Sequence, residues 1–305
     1  MIECFKIQLL SFDNEEEIFN IKKGKKIYGV DCLKPYFKAN PTIIVADPFL
    51  FEYKGKLHLF YESKGLYTPG VLMMTSTSDL VHWSKPVVVL KEPFHLSYPW
   101  VFEENGKVYM IPETGQDGSI RLYEAASDSL SSFRLVKKLL EQPKDKEIRM
   151  GYGDSSIFKK DGKYYLMTML QYSEPVNVLE LYISDKLEGP YTTHPSSPII
   201  KSNKVGRDAG CWIEYQGKLL RVSQDCTHRY GDNVHVSEIT KLSPTEYKEK
   251  ILQESILPTD VSFYKEGGHQ FNAIKFNGQW IVATDAKEYH RLLITRIIHK
   301  IKSRL

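Results

Sequence analysis

"DPFLFEYKGKLHLFYE", residues 47–62, places two runs of strand-forming residues on either side of Lys54-Gly55. Aromatic and aliphatic residues fill both runs, and an acidic residue stands at each outer end. A polar residue followed by glycine between two such runs predicts a β-hairpin with a two-residue type I′ turn, because both turn positions need a positive φ angle.

Four further segments repeat this pattern, each sixteen residues long with glycine at the ninth place. They are 98–113, 154–169, 209–224 and 270–285, and successive starts lie 51, 56, 55 and 61 residues apart. An isolated hairpin is marginally stable in water, so each unit needs further strands from the residues around it. Five units of about four strands predict an all-β, five-bladed β-propeller over residues 1–286, with strand 5–12 beside the last blade. A β-sandwich or a solenoid of hairpins is the alternative.

The last residues, 287–305, break the β pattern and predict a short, basic, amphipathic C-terminal helix. Apolar residues recur there at helical spacing, with arginine and lysine between them. Such a helix would pack on the propeller wall or on a second copy, or make contact with an anionic membrane surface.

Composition narrows the class of protein. The 305 residues are 42% hydrophobic and 26% charged, and the net charge of +3 argues against nucleic acid as a partner. The four cysteines show no metal-binding spacing, so reduced thiols and no metal site are expected from them. No secretory signal is recognisable, and no apolar run approaches the roughly 20 residues that cross a bilayer. The predicted location is the cytoplasm, with a peripheral position at the inner membrane face as an extension of the helix prediction.

The ends of the five hairpins supply the candidate site. If the hairpins are the innermost strands of the blades, their open ends meet at one end of the propeller axis. The residues at these ends, with their immediate neighbours, are Asp47, Glu62, Tyr98, Glu113, Asp154, Met169, Arg207, Asp208, Gln224, Asp225, His269 and Asp285. Converging carboxylates raise one another's pKa, as acid–base catalysis requires. Strand ends are also polar simply because they meet water, and Met169 is expected only to pack.

Several of these segments carry a family resemblance. "SYPWVFEENGKVYMIPET", "GCWIEYQGKLLRVSQDCTHRYG" and "GGHQFNAIKFNGQWIVATDA" resemble the N-terminal domain of plant glucosamine inositolphosphorylceramide transferases and bacterial relatives among polysaccharide-biosynthesis proteins. The resemblance covers roughly residues 35–287. More distantly, the pattern is similar to the five-bladed propellers of family-43 and family-32 glycoside hydrolases.

The distant resemblance implies roles for individual residues. It places a base or nucleophile at Asp47 and a substrate-orienting aspartate at Asp154. The glutamate that serves as general acid in blade four is missing, so Asp208 is the candidate there, and Glu113 is one that the hydrolase pattern does not support. His269 falls where such propellers hold an axial histidine, sometimes near a metal ion. No cofactor is predicted beyond an axial metal ion near His269, and a structural role for this histidine is the alternative.

Because the general acid is missing, the leading hypothesis is glycosyl transfer in surface polysaccharide or glycolipid biosynthesis, which needs no proton donor for a phosphate leaving group. Asp47 would be the base, and Arg207, Arg221 and Arg229 would bind the diphosphate. The polar segment 221–233, which contains Tyr230, is a predicted substrate loop. A glycoside hydrolase and a non-catalytic glycan-binding module that assists a partner transferase are the alternatives. The expected partner is a glycan or a sugar nucleotide.

Overall fold

A computed structural model describes residues 1–32, 40–144, 147–210 and 212–291, and these residues form five antiparallel sheets. Strands are numbered in chain order. Blade one contains β3 (Thr42–Tyr53), β4 (Lys56–Gly65), β5 (Val71–Thr77) and β6 (Val87–Leu90). Blade two contains β7 (Ser97–Glu104), β8 (Lys107–Glu113), β9 (Ser119–Ala125) and β10 (Phe133–Glu141).

Blade three contains β11 (Met150–Lys160), β12 (Lys163–Gln171), β13 (Val178–Ser184) and β14 (Thr192–Thr193), and β15 (Ile200–Lys201) also pairs with β13. Blade four contains β16 (Ile213–Tyr215), β17 (Lys218–Asp225), β18 (Asn233–Leu242) and β19 (Tyr247–Gln253). Blade five contains β20 (Phe271–Phe276), β21 (Gln279–His290), β1 (Ile2–Phe12) and β2 (Lys25–Val30). The prediction of an all-β, five-bladed propeller is confirmed.

Short 3₁₀ turns complete the regular structure. They span Glu15–Glu17, Ile21–Lys23, Gly115–Asp117 and Ser262–Tyr264. Within the described residues, no helix is long and apolar enough to cross a membrane.

Each predicted hairpin forms with the predicted two-residue turn. In blade one, Lys54 and Gly55 have φ angles of 50° and 71°, and in blade five Asn277 and Gly278 have 49° and 79°. Both turn positions are left-handed in all five hairpins, which is the type I′ geometry that matches the twist of the flanking strands.

The turn glycines give a first testable prediction. A Cβ atom at Gly278 would meet nothing within 4 Å, so a Gly278→Ala exchange changes only the cost of a positive φ angle. We expect it to lower the free energy of unfolding by about 1–2 kcal/mol, measured by urea denaturation. Asn277→Gly is the control and should cause no loss of this size. A Gly278→Ala protein as stable as the wild type would contradict the turn assignment.

The first and last strands of the chain close the ring, as predicted. Strand β1 pairs with β21 over its full length, from Ile2 opposite His290 to Phe12 opposite Trp280. The predicted boundary at residue 286 is wrong, because residues 287–290 continue β21 instead of beginning a helix. The remainder of the predicted C-terminal helix, residues 292–305, lies outside the described residues.

Aromatic and aliphatic side chains fill the space between neighbouring blades. Phe49 of blade one meets the ring of Tyr98 of blade two edge-on, with centroids 4.8 Å apart. Phe60 and Phe271 belong to the same buried cluster and are fully buried. This packing holds the inner hairpins together and so fixes the relative positions of their open ends.

Candidate functional site: an acidic cup at the axial mouth

A β-bulge shapes the open end of the first hairpin. Phe49 pairs with Phe60, but Ala46, and not Asp47, pairs with Glu62, so the register shifts by one residue between them. A regular two-residue hairpin would place residue 47 directly opposite residue 62, and the bulge removes this pairing. Asp47 is part of the bulge and has a φ angle of 51°, which is uncommon for a residue with a side chain.

The same bulge recurs in blades two and three. The register shifts between Ser97 and Trp100 and between Gly153 and Ser156. Tyr98 and Asp154 then take φ angles of 47° and 48°. β-Bulges often change the direction of side chains next to active sites. Three equivalent bulges at the same rim therefore indicate that they have the same role in blades one, two and three.

Asp47, His269 and Asp285 form the first cluster of the mouth. His269 Nδ1 lies 2.7 Å from Asp285 Oδ2 and 3.6 Å from Asp47 Oδ1. The backbone N–H groups of His269 and Gln270 donate to Asp285 Oδ1 at 2.8 and 3.1 Å. The backbone N–H of Tyr98 donates to Asp47 Oδ2 at 3.0 Å. Burial lowers the pKa of His269, but Asp285 and Asp47 outweigh this effect and raise it.

Glu113, Asp154, Arg207 and Gln224 form the second cluster. The Nε of Arg207 donates to Asp154 Oδ2, and its Nη2 lies 3.6 Å from Glu113 Oε2. Gln224 donates to the same Asp154 oxygen at 3.1 Å, and the backbone N–H of Asp154 donates to Glu113 Oε2 at 3.3 Å. Three blades and the segment before β16 therefore fix the position of Asp154.

The two clusters lie close enough at this rim for their charges to affect one another, and we call them together the acidic cup. Burial raises the pKa of Asp47 to about 6, and the charges of Asp154 and Asp285 contribute while His269 opposes them. Burial and the charge of Asp154 raise the pKa of Glu113 to about 8, against the influence of Arg207. At neutral pH the cup therefore holds an ionised carboxylate at Asp47 and a protonated carboxylic acid at Glu113.

Glu62 adds a further buried carboxyl group to the cup. Its Oε1 lies 3.4 Å from His95 Nε2, and its side chain is 6% exposed. Burial, together with the charges of Asp47 and Glu113, raises its pKa well above the ordinary value.

Tyr230, between β17 and β18, and the buried Phe5 of β1 both pack against His269 of the cup. The ring of Tyr230 stands edge-on to His269, and the Arg207 guanidinium lies 5.2 Å from the centre of the Tyr230 ring. Phe5 stacks on His269 with centroids 4.5 Å apart. Tyr230 is 41% exposed, so it offers an open aromatic surface at the entrance. Sequence reasoning missed Phe5, although the predicted position of strand 5–12 beside the last blade was the signal that placed it here.

Tyr98 contributes its backbone and not its side chain. The residue is fully buried, and its hydroxyl donates to the carbonyl oxygen of Gly210 at 2.6 Å. Met169 is also fully buried, as its predicted packing role requires.

Asp208 lies in a separate, closed network. Its Oδ1 accepts from Arg221 Nη1 at 3.0 Å, and its Oδ2 accepts from the Ser156 hydroxyl at 3.1 Å. Burial raises the pKa of Asp208 to about 6, but the side chain is 1% exposed and both oxygens are occupied. This arrangement argues against Asp208 as the proton donor, whereas Glu113 and Glu62 both place a carboxyl group with a raised pKa in the cup.

The remaining predicted polar residues are engaged with structural partners. Asp225 accepts from the Thr227 backbone N–H at 2.8 Å and lies 3.1 Å from His235 Nε2. Arg229 pairs at the surface with Asp232 and Glu266. Arg221 is fully buried against Glu249 and Asp208. Neither Arg221 nor Arg229 is placed to bind a diphosphate in the cup.

The first cluster also fits a metal ion. One ligand atom each from Asp47, His269 and Asp285 lies within 4.8 Å of the others. Among the described residues, His269 Nδ1 has no hydrogen-bond partner with acceptable geometry, despite its closeness to Asp285. Two carboxylates and one imidazole suit a divalent cation, which would polarise a bound hydroxyl or water in the cup.

The sequence of the chain matches a known protein family and several of its members. Residues 29–286 match the family described as glucosamine inositolphosphorylceramide transferase 1, N-terminal. The chain is 30% identical over 270 residues to glucosamine inositolphosphorylceramide transferase 1 of Oryza sativa subsp. japonica, covering 83% of this chain and 34% of the relative. The chain thus spans about a third of the length of the curated relatives that it matches.

Solved structures share the fold at low sequence identity. An α-L-arabinofuranosidase from Podospora anserina in complex with cellotriose superposes with a TM-score of 0.59 at 10% identity, over 80% of this chain and 91% of the other. A thermostable family-43 glycoside hydrolase superposes with a TM-score of 0.55 at 15% identity, over 81% and 90%. The predicted resemblances to the transferase N-terminal domain and to these propellers are confirmed. By the match over residues 29–286, the chain belongs to the family of glucosamine inositolphosphorylceramide transferase N-terminal domains.

Proposed function

We propose that the cup binds a sugar and that the chain takes part in glycosyl transfer during the synthesis of a surface polysaccharide or glycolipid. The observation that carries this proposal is the convergence of Asp47, Glu113 and Asp154 from three blades at one rim. Their surroundings raise the pKa of Asp47 to about 6 and that of Glu113 to about 8, which suits acid–base chemistry. The name of the relatives, which pairs a sugar with a lipid acceptor, supports the same class of reaction.

The charge of the cup indicates which substrate enters it. Asp47, Glu62, Glu113, Asp154 and Asp285 supply five carboxyl groups. Arg207 is already salt-bridged to two of them. Because Arg207 and His269 are already paired with carboxylates, the ionised Asp47 would repel a diphosphate, whereas a neutral sugar or the ammonium group of glucosamine would not be repelled. We therefore assign the acceptor sugar to the cup and the donor phosphate to its rim.

Asp47 is the proposed general base. Its carboxylate would accept the proton of the acceptor hydroxyl as the new C–O bond forms at the donor sugar. The donor's C–O bond to phosphate breaks at the same time, and the phosphate leaves with the bonding electrons. The Tyr98 N–H and the Asp285–His269 pair hold Asp47 for this step, and Gln224 and Arg207 hold Asp154 beside it.

Glycoside hydrolysis is the second candidate, and Glu113 is the observation that favours it. A carboxylic acid with a pKa of about 8 can protonate a leaving sugar oxygen. Glu113 would thereby act as the general acid that is missing from blade four. Asp47 would then act as nucleophile or as the base that activates water.

The pH profile separates the two reactions. Both need ionised Asp47, so the rate should rise with pH through about 6. Only hydrolysis needs protonated Glu113, so only its rate should fall again above about pH 8. We expect transfer to reach a plateau and to survive Glu113→Gln within about threefold. Initial rates of transfer and of reducing-sugar release from pH 4 to 10 measure this, and a rate that falls through pH 6 would contradict the role of Asp47.

A binding-only role in support of a partner transferase would follow if sugar binds in the cup but no turnover is detectable. The cytoplasmic location remains a prediction, and so does the membrane contact, now limited to residues 292–305 because residues 287–290 belong to β21. Fractionation of cells that express the full chain, with and without residues 292–305, tests both.

A further inference from the structure

A second cluster of chemically reactive side chains lies on blade five, away from the cup. Strand β1 pairs with β21 so that Cys4 is opposite Glu288 and Ile2 is opposite His290. Directly paired residues, and residues two apart on one strand, share a face of the sheet. Cys4, Glu288 and His290 therefore lie on one face, and Cys32, two residues after β2, meets them there.

The contacts within this cluster are short. Cys32 Sγ lies 3.4 Å from Glu288 Oε1, and the same oxygen lies 2.7 Å from His290 Nε2. The three ligand atoms all lie within 4.8 Å of one another. The Cys4 thiol donates to the carbonyl oxygen of Ile2 at 3.7 Å and lies outside this set of three, on the same face of the sheet. Both cysteines are buried, and the side chains of Glu288 and His290 are 30% and 27% exposed.

This donor set is the one that zinc prefers in proteins. Thiolates, an imidazole and a carboxylate bind zinc tetrahedrally at about 2.0–2.3 Å, which places neighbouring ligand atoms about 3.3–3.8 Å apart. The ligand atoms of Cys32, Glu288 and His290 already lie within 4.8 Å of one another, and a rotation of the Cys4 thiol away from Ile2 would supply the fourth ligand.

The charges also balance. Two thiolates and one carboxylate carry three negative charges, and a zinc ion with the ammonium group of Lys6 carries three positive ones. Lys6 Nζ already binds Glu288 Oε2 at 2.6 Å, leaving Oε1 for the metal, as an outer-shell partner of a zinc ligand does. Binding would release the two thiol protons to solvent.

The cluster is distinct from the cup. Phe5 and Lys287 alternate with Cys4 and Glu288 along the two strands, and Phe5 stacks on His269 of the cup. Cys4 and Cys32 instead belong to the buried cluster that blade five shares with Ile43 and Val45 of blade one.

We propose that Cys4, Cys32, Glu288 and His290 bind one zinc ion, which fastens β2, β1 and β21 where the first and last strands close the ring. The sequence could not indicate this site, because its four ligands are scattered over residues 4 to 290 and show no recognisable spacing. This proposal differs from the expectation from the sequence that the cysteines hold no metal.

Metal analysis and a cobalt spectrum of the full chain test the proposal. We expect about one zinc per chain in protein purified without chelators, and a thiolate-to-cobalt charge-transfer band after exchange with Co²⁺. Cys32→Ser should weaken zinc affinity at least about tenfold in competition with a chromophoric chelator. Zinc removal should lower the Tm of the wild type but not that of Cys32→Ser.

Matched variants locate the ion. Cys226→Ser removes a cysteine outside the cluster. Asp285→Asn alters the cup. Both variants should keep the zinc and the cobalt band. The proposal is overturned if the cobalt spectrum lacks a thiolate band, because that readout needs no variant that might fail to fold. It is equally overturned if Asp285→Asn loses the zinc while Cys32→Ser keeps it, or if non-reducing peptide mass spectrometry finds Cys4 and Cys32 joined as a disulfide.

Discussion

Replacing Arg221 with methionine is expected to lower the free energy of unfolding by about 3–5 kcal/mol. The Arg221 side chain is 2% exposed and binds Glu249 at 2.7 and 2.8 Å and Asp208 at 3.0 Å. Methionine keeps much of the volume but leaves two buried carboxylates without their cation. Urea denaturation at pH 7 measures the loss.

Arg134→Met is the matched control for this experiment. Arg134 also pairs with a glutamate, Glu124, at 2.9 Å, but its side chain is 69% exposed. Exposed ion pairs contribute about 0–1 kcal/mol, so the control should stay within that range. Equal losses of unfolding free energy in the two variants would contradict the claim that burial makes the Arg221 ion pairs more stabilising than an exposed pair.

Asp47→Asn is expected to lower turnover about 10²–10⁴-fold, because the amide cannot accept a proton. Binding of glucosamine, the sugar in the relatives' name, should be retained, since the Tyr98 N–H can donate to the amide oxygen. Steady-state transfer and hydrolysis rates, with binding measured by calorimetry, separate the two effects.

Asp128→Asn makes the same chemical change at a surface position. Asp128 pairs with Lys54, and its side chain is 74% exposed, so this variant should keep full turnover. If Asp47→Asn is as active as Asp128→Asn, Asp47 is not the base. If both the wild type and Asp47→Asn bind sugar without turnover, the cup serves binding alone.

The fold was predictable because its signal is local and repeated. Each turn glycine sits between two strand-forming runs, so the five hairpins and their approximate ends could be located from the sequence. Closure of the ring by β1 and β21 followed from the same count. The extension of β21 to His290 was missed, because residues 287–290 also match the helical spacing of the residues after them.

The site was only partly predictable, because bulges and pairings between blades have no local signature. Asp47 and Asp154 could be placed at the mouth, but their left-handed bulges could not be foreseen from a regular register. Arg207 and Asp208 are neighbours in sequence, yet one faces the cup and the other a closed network with Arg221. Both residues lie before β16, where Asp208 forms only an isolated bridge with Ser223, so no strand periodicity predicts which of them faces the axis.

The most direct test of the account is a crystal structure of the chain soaked with glucosamine and, separately, with cellotriose. We predict a sugar ring in the cup beside Tyr230, with a hydroxyl or ammonium group within hydrogen-bonding distance of Asp47, Glu113 or Asp154. Sugars that bind only at the blade edges or at the turn end of the propeller would contradict the central claim that these carboxylates form a carbohydrate site.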